Sequence, residues 1–136
     1  MDDRHKYRLL VIDDDPEFLG DLVFLLSSEY NVSAATNTRD AAEMLRELTL
    51  DCILVDLNMP SHFGDNSELE GIAFLKYIRS NPYMFDFRAL PVIIITANTD
   101  PETERMAGRS GANYFFSKPP NIRELNEKII QAINAQ

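Results

Sequence analysis

The sequence predicts an α/β fold in which a parallel five-stranded sheet is covered by helices on both faces. Five short apolar runs recur along the chain at fairly even intervals, and an amphipathic helical pattern follows each of them. Strict alternation of strands and helices is typical of parallel sheets covered on both sides. The crossover connections between such strands are expected to be right-handed. The five runs are Arg8–Ile12, Asn31–Ala35, Cys52–Val55, Val92–Ile95 and Tyr114–Phe116.

The composition of the five runs supports them unequally. The first, third and fourth are continuous and rich in Leu, Ile and Val, as expected of strands that are buried on both faces of a sheet. The second run is weak in composition and is assigned mainly from its position between two helical patterns. The fifth run is short and aromatic.

The first two helices are predicted from apolar residues that recur every three or four positions. Pro16 suits the first turn of the first helix, and Asp15 is a suitable N-cap before it. Thr38 is assigned as the N-cap of the second helix. The residues predicted to face the core are Phe18, Leu19, Leu22, Leu25 and Leu26 in the first helix and Ala41, Met44, Leu45 and Leu48 in the second.

Three further helices are predicted after the third, fourth and fifth strands. The third helix is expected over about Leu69–Arg79. Asp100-Pro101 begins the fourth, and Gly111 stands where a glycine commonly ends a helix. Asn121 resembles the first residue of a capping box for the last helix. The residues predicted to face the core are Ile72, Leu75 and Ile78 in the third helix and Ile122, Leu125, Ile129 and Ile133 in the last.

Composition and charge restrict the class of protein. The chain has 136 residues, 45% of them hydrophobic, which suits one domain over residues 1–136 with a sizeable core. A formal net charge of −9 without a basic cluster argues against direct binding to nucleic acid or to an anionic membrane. No apolar run is long enough to span a membrane, and the first residues are too polar for a signal peptide. We therefore expect a soluble, cytoplasmic protein.

Several kinds of site are excluded by residue type and spacing. Cys52, the only cysteine, lies within an apolar run, which excludes disulfides and favours a packed core thiol over a nucleophile. His5 and His62 lie far apart, without metal-ligand spacing and without support for a catalytic triad. The turn after the first strand lacks the glycine-rich motifs of nucleotide sites, so we expect no cofactor-binding residues of that kind.

Polar residues follow the carboxyl ends of four of the five predicted strands. Ligands of such sheets bind outside these ends, so the residues are expected to converge. Crowded carboxylates repel one another unless a cation compensates them, and carboxylates with a carbonyl and waters suit Mg²⁺. Each residue alone is ordinary at a strand end or turn, but their coincidence favours a site. The residues are Asp13, Asp14 and Asp15 after the first run, Asp56 after the third, Thr96 after the fourth, and Ser117 and Lys118 after the fifth.

Four blocks of sequence resemble the receiver domains of two-component response regulators. They cover almost the whole chain in the order found in the family, and their combination is far more specific than any one of them. The resemblance implies a chemotaxis-regulator-like, flavodoxin-like (βα)₅ fold with strand order 2-1-3-4-5. The blocks are VIDDDP (Val11–Pro16), LVDLNMP (Leu54–Pro60), IITA (Ile94–Ala97) and FSKPP (Phe116–Pro120).

The resemblance also implies a phosphoryl acceptor and a metal site. Asp56 matches the residue that accepts the phosphoryl group, and its carboxylate is also a metal ligand in the family. Asp14 matches a direct ligand of Mg²⁺, which Mn²⁺ can replace, whereas Asp13 is expected to act more through water. Asn58 matches the residue whose backbone carbonyl completes the metal site.

A switch is implied by the same resemblance. Lys118 matches the lysine that contacts the phosphate, and the Lys118–Pro119 bond is expected to be cis. Thr96 matches the switch hydroxyl, which the phosphate draws inward, and Phe115 matches the switch aromatic residue. Movement of the two would repack the surface formed by the predicted fourth helix, the fifth strand and the predicted fifth helix.

The implied function is that of a signalling phosphoacceptor that catalyses only its own phosphorylation and dephosphorylation. The expected partners are a sensor histidine kinase or histidine phosphotransfer protein as donor, a downstream protein or fused output domain, and a second copy in a phosphorylation-dependent homodimer. A module of the same fold that works by constitutive protein contacts would be expected to lack Asp56, Lys118 or the acidic pair, and all are present. A magnesium-dependent phosphatase of the aspartyl-phosphate type needs a second Asp where this chain has Asn58.

The sequence departs from the family at two places. Gly71 lies eleven positions after Pro60, several more than usual, which leaves a long polar loop over Ser61–Glu70. Phe115 keeps the ring of the tyrosine that is often found at the switch position but lacks its hydroxyl. The loop is either a surface insertion, which costs little loop-closure entropy, or a border of the site that selects the phosphodonor. The sequence leaves both interpretations open.

Overall fold

The protein folds around one parallel sheet. The structure, a computed structural model, describes residues 6–64, 68–81 and 85–135, without the side chains of residues 85 and 86. The sheet has five strands in the order β2-β1-β3-β4-β5, which confirms the predicted doubly wound α/β fold. His5 and the centre of the long loop, residues 65–67, lie outside the described residues. The strands are β1 (Arg8–Ile12), β2 (Asn31–Ala35), β3 (Cys52–Val55), β4 (Val92–Thr96) and β5 (Tyr114–Ser117).

Helices connect the strands, and one of them is short and was not predicted. The helix Phe85–Ala89 has only five residues and precedes β4. Among the described residues, none of the helices combines the length and apolar character needed to cross a lipid bilayer. The helices are α1 (Pro16–Leu26), α2 (Thr38–Glu47), α3 (Glu70–Ser80), α4 (Phe85–Ala89), α5 (Pro101–Arg109) and α6 (Ile122–Asn134).

The central strands are buried on both faces, as their composition predicts. Successive side chains of a strand point to opposite faces. Leu10 and Ile53 pack in the cluster that contains α2 and α3, whereas Leu9 and Leu54 pack in the cluster that contains α1 and α6. Cys52 belongs to the second cluster, and burial raises the pKa of its thiol to about 12. The prediction that Cys52 is a packed core residue is therefore confirmed.

Most predicted helix ends are confirmed. Side-chain oxygens of Asp15, Asp100 and Asn121 accept hydrogen bonds from backbone amides in the first turns of α1, α5 and α6, respectively. These contacts satisfy amide donors that have no partner within the helix. Gly111 follows α5 with φ of 110°, a conformation that glycine adopts without steric penalty. The Lys118–Pro119 peptide bond is cis, as expected.

Three predicted details of the helices are wrong. The side chain of Asn37, not that of Thr38, caps α2 by accepting a hydrogen bond from the Asp40 amide. Thr38 is buried instead. Leu25 is 50% exposed because it lies at the edge of the stripe that faces the sheet. Leu48 is 40% exposed because it follows the last residue of α2 with an extended backbone, so the helical period no longer applies to it.

Arg79 forms several hydrogen bonds to backbone carbonyls at the end of the sheet where β4 and β5 begin. Its Nη1 donates to the carbonyl oxygens of Phe87, at 3.3 Å, and Leu90, at 2.6 Å. Its Nε and Nη2 donate to the carbonyl oxygen of Gly111, at 3.1 and 2.8 Å. Hydrogen bonds from a charged donor are stronger than neutral ones. Arg79 therefore connects α4 and the segment before β4 to the turn before β5.

Gly71 allows α3 to approach the end of β3, and this contact gives a stability prediction. The Gly71 amide donates to the Leu57 carbonyl oxygen at 3.0 Å, and an added Cβ at Gly71 would lie 2.6 Å from Leu57 Cα. G71A should therefore lower the free energy of unfolding by about 2 kcal/mol, because tight backbone must move apart. G20A is the control, since a Cβ at Gly20 in α1 meets nothing within 4 Å.

The control substitution should raise the free energy of unfolding by about 1 kcal/mol, because alanine has the higher helix propensity. Urea unfolding of both variants, followed by circular dichroism, measures the two changes. Changes of the same sign would contradict the close packing at Gly71.

Candidate functional site

The predicted polar residues converge at the carboxyl edge of the sheet. Asp13 and Asp56 directly follow β1 and β3, which are hydrogen-bonded neighbours. Thr96 is the last residue of β4, and Lys118 follows β5. Parallel strands that end at the same edge place these four residues at one edge of the sheet although they lie far apart in sequence.

Three carboxylates form a compact cluster at this edge. One carboxylate oxygen from each of Asp13, Asp14 and Asp56 lies within 4.8 Å of the others. Asp13 and Asp56 are buried, with 2% and 6% of their surface exposed, whereas Asp14 is exposed. Asp13 Oδ1 accepts a hydrogen bond from the Asp15 amide at 2.9 Å, and Asp56 Oδ1 accepts one from the Asn58 amide at 3.3 Å. Backbone amides therefore orient both buried carboxylates.

Lys118 places a positive charge between the two buried carboxylates. Its Nζ lies 2.7 Å from Asp13 Oδ2 and 3.0 Å from Asp56 Oδ2. The ammonium also lies 4.4 Å from the centre of the Phe18 ring, a favourable cation–π arrangement. Burial opposes the charge on Lys118, but the two carboxylates outweigh it and raise the pKa of the ammonium. Burial raises the pKa of Asp13, and the hydrogen bond from Lys118 offsets only part of that effect.

The donor set fits a divalent oxygen-preferring cation such as Mg²⁺. Lys118 balances one of the three negative charges of the cluster, and the remaining two equal the charge of one divalent ion. Carboxylate and carbonyl oxygens are the ligands that Mg²⁺ prefers. Asn58, whose carbonyl is the fourth predicted ligand, is exposed and lies two residues after Asp56.

Thr96 and Phe115 lie on the β4–β5 side of the site. Thr96 is completely buried, and its Oγ1 accepts a hydrogen bond from the Asn98 amide at 3.2 Å. Phe115 pairs with Ile94 in the sheet and packs, half-buried, against the cluster that contains α2 and α3. The two residues thus lie on adjacent strands, and Phe115 pairs with the residue two positions before Thr96.

A buried carboxylate that the sequence analysis did not single out lies next to this site. Glu70 is the first residue of α3, and its Oε2 accepts a hydrogen bond from Thr38 Oγ1 at 2.6 Å. Thr38 and Glu70 are both buried, although one was assigned as a cap and the other as a residue of a polar loop. The sequence signal that could have indicated this buried carboxylate is a glutamate immediately before Gly71, the residue that contacts the end of β3.

The fold and the residues at its carboxyl edge define a class, the doubly wound α/β domains with an acidic cluster and a lysine at the strand ends. The family model described as response regulator receiver domain matches residues 9–130. This chain therefore belongs to the response regulator receiver domain family. The predicted family resemblance is confirmed.

Named relatives agree with this assignment. The transcriptional regulatory protein ZraR of Salmonella typhimurium is 35% identical over 132 residues, which are 96% of this chain and 27% of ZraR. The NtrC4 receiver domain, solved as a beryllofluoride-activated dimer, matches with a TM-score of 0.79 and 27% identity, covering 94% of this chain and 97% of that one.

Another solved structure, that of the Francisella response regulator 1452 receiver domain, has a TM-score of 0.80 at 23% identity, and the match covers 96% of this chain and 98% of that one. At this identity, the likeness concerns the fold alone. The chain spans about a quarter or less of the length of the curated relatives it matches.

The shared ammonium gives a prediction about stability in metal-free buffer. K118M should lower the free energy of unfolding by about 3 kcal/mol, because it leaves two buried carboxylates without their cation. K76M is the matched control, since Lys76 forms an ion pair with Glu68 at 2.8 Å on the surface. Such exposed pairs contribute at most about 1 kcal/mol. Denaturant titrations with a chelator present compare the two variants, and equal losses would contradict the stabilising role of Lys118.

Proposed function

We propose that this chain is a phosphoacceptor that takes a phosphoryl group onto Asp56, with Mg²⁺, from a phosphohistidine of a sensor histidine kinase or a histidine phosphotransfer protein. The observation that carries the proposal is the Asp56 carboxylate, held between the Lys118 ammonium at 3.0 Å and the carboxylates of Asp13 and Asp14. Receiver domains of response regulators are signalling modules, which agrees with this role. We place the activity in the cytoplasm, in a single receiver domain over residues 1–136.

In this proposal Asp56 is the nucleophile. One carboxylate oxygen forms a bond to phosphorus while the bond from phosphorus to the imidazole nitrogen breaks, and the nitrogen keeps the electron pair and takes up a proton. Such transfers depend mainly on positioning and on neutralising the oxygens of the transferred group. The Asn58 amide and Lys118 hold the carboxylate in place. Lys118 then contacts a phosphoryl oxygen.

Asp13, Asp14, Asp56 and the backbone carbonyl of Asn58 are the residues that we propose to hold Mg²⁺ or, in its place, Mn²⁺. The bound ion would supply positive charge to the oxygens of the phosphoryl group. This set is supported by the close approach of the three carboxylates. The single positive charge of Lys118 neutralises only part of their negative charge. Asp14 is the exposed member, so its oxygens are open to an ion that arrives from solvent.

We further propose that phosphorylation is read through Thr96 and Phe115. The Thr96 hydroxyl would turn from the Asn98 amide to a phosphoryl oxygen, which frees space beside β5 for the Phe115 ring. The surface formed by α5, β5 and α6 would then repack and bind a downstream protein, a fused output domain or a second copy. The relative NtrC4 receiver domain is described as an activated dimer, which supports the homodimer as one outcome.

The two alternatives are weaker on the residues of this site. A module that works without phosphate does not require a nucleophile, a lysine and an acidic pair in contact, yet these residues lie together. An aspartyl-phosphate phosphatase needs a carboxylate two residues after the nucleophile as acid and base. This chain has Asn58 at that position, and its side-chain amide cannot exchange a proton in that way.

The acceptor can be identified by labelling with acetyl phosphate. Wild type should gain one phosphoryl group, and only with Mg²⁺ or Mn²⁺ present, as measured by intact mass. D56N should gain none, because an amide is a poor nucleophile. The control D21N changes an exposed carboxylate of α1 and should label like wild type. Equal labelling of D56N and wild type would refute the assignment of Asp56, and no labelling of wild type would favour the module that works without phosphate.

Metal binding can be tested separately from phosphorylation. Adding millimolar Mg²⁺ should raise the melting temperature of the wild type, because a ligand that binds only the folded state stabilises it. D14A should abolish this increase, whereas D21A should retain it. Differential scanning fluorimetry over a range of Mg²⁺ concentrations measures both responses. The same increase in D14A and wild type would contradict the proposed ligand set.

A further inference from the structure

The buried carboxylate of Glu70 holds residues 62–64 of the long loop in place. Only 2% of the surface of Glu70 is exposed. Its oxygens accept hydrogen bonds from the backbone amides of His62, at 2.9 Å, Phe63, at 2.9 Å, and Gly64, at 3.0 Å. The Thr38 hydroxyl of α2 donates a fourth, at 2.6 Å. Three consecutive loop amides thus converge on one side chain of α3.

The energetics of this contact indicate a fixed loop. A carboxylate without partners is costly to bury, and hydrogen bonds to an ionised acceptor are stronger than neutral ones. Burial alone would raise the pKa of Glu70, but the hydrogen bonds from Thr38 and the three amides outweigh it and lower the pKa. Glu70 is therefore ionised at neutral pH, and its charge is accommodated only while residues 62–64 stay in contact with it.

A second contact, between aromatic rings, also holds this segment against α3. The Phe63 ring lies 5.5 Å from the ring of Phe74 and 4.6 Å from that of Tyr77, both in α3. The backbone next to Phe63 also approaches α3 closely, since a Cβ added at Gly64 would lie 2.9 Å from Ala73 Cβ. A surface insertion that is merely tolerated needs neither a buried carboxylate nor an aromatic anchor.

Ser61, which directly precedes the fixed segment, lines a groove that also includes Asp14 of the acidic cluster. The groove has a volume of about 470 Å³, and its lining includes Asp14 and Asn58 as well as Ser61, Glu68 and Glu70. Because Asp14 belongs to the cluster around Asp56, a phosphodonor that approaches Asp56 from this side has to fit beside the loop.

We propose that Glu70 is a positioning residue that fixes residues 62–64 and, through them, the adjacent Ser61 as a rigid wall of this groove, and that the wall limits the size of the leaving group that a phosphodonor can carry to Asp56. The inference rests on the proposed function, since it concerns the donor of the same reaction. Of the two interpretations of the loop, the proposal favours the one in which the loop selects the phosphodonor.

The first measurement asks whether Glu70 fixes the loop. In E70Q, either orientation of the amide places an N–H donor against backbone N–H donors, so the His62, Phe63 and Gly64 amides should exchange with deuterium on the order of tenfold faster. T38V is the matched control, because it removes only the hydroxyl donor and leaves the three amide contacts. The loop amides of T38V should exchange like those of wild type. Equal protection in E70Q and wild type would overturn the positioning role.

The second measurement asks whether the fixed wall selects donors. Acetyl phosphate and benzoyl phosphate carry the same reacting group on leaving groups of different size. The ratio of the benzoyl phosphate labelling rate to the acetyl phosphate rate at Asp56 should rise about tenfold in E70Q, the lower end of what steric selection contributes. In T38V the ratio should equal that of wild type. An unchanged ratio in an E70Q protein whose loop amides exchange faster would overturn the proposal.

Two further outcomes keep this proposal separate from the proposed function. If wild type is not labelled by acetyl phosphate at all, the proposed function fails, whereas the exchange measurement still reports on the contact of Glu70 with the loop. If E70Q does not fold, F63A removes the aromatic anchor and leaves the Glu70 carboxylate intact. The donor ratio should rise in F63A as well, and an unchanged ratio there would overturn the proposal.

Discussion

Two buried carboxylates, Asp13 and Asp56, share the ammonium of Lys118 at distances of 2.7 and 3.0 Å. Each carboxylate would be costly to bury alone, and the lysine that compensates them follows a strand that pairs with neither β1 nor β3. The contact therefore forms only when β1, β3 and β5 end at the same edge with β4 between β3 and β5. The electrostatics of the site thus depend on the topology of the sheet, and the stability of that edge depends in turn on the ion pairs.

Much of the fold was predictable because the strongest sequence signals came from elements buried on both faces. The bounds of β1, β2 and β3 were predicted to the residue, and β4 and β5 were each one residue longer than predicted. Apart from the assignment of the buried Thr38 as a cap, the errors lie where burial is partial or the element is short. Helical periodicity did not show that Leu25 lies at the edge of the buried stripe or that α2 ends before Leu48. The five residues of α4 are too few for a periodic pattern.

The residues of the acidic edge were predictable for a different reason. Parallel strands end at one edge, so Asp13, Asp56, Thr96 and Lys118 were expected to meet without knowledge of any side-chain conformation. No such rule connects α2 to α3. The contact between Thr38 and Glu70 spans 32 residues and depends on how two helices pack, and the loop amides that Glu70 holds come from an irregular segment. Propensity favoured Thr38 as a cap, and tertiary packing placed the hydroxyl on Glu70 instead.

The end of β3 is restrained more strongly on its α3 side than on its β4 side. On the α3 side, the Gly71 amide binds the Leu57 carbonyl and Glu70 binds the loop, so the backbone after Asp56 has little freedom to move. On the β4 side, Thr96 makes a hydrogen bond at 3.2 Å to the amide of Asn98, within its own loop, and Phe115 is only half-buried. A two-state element must have two arrangements of similar free energy. The β4–β5 side has weaker restraints of this kind, so the switch proposed above is expected to propagate toward β5 rather than toward the loop.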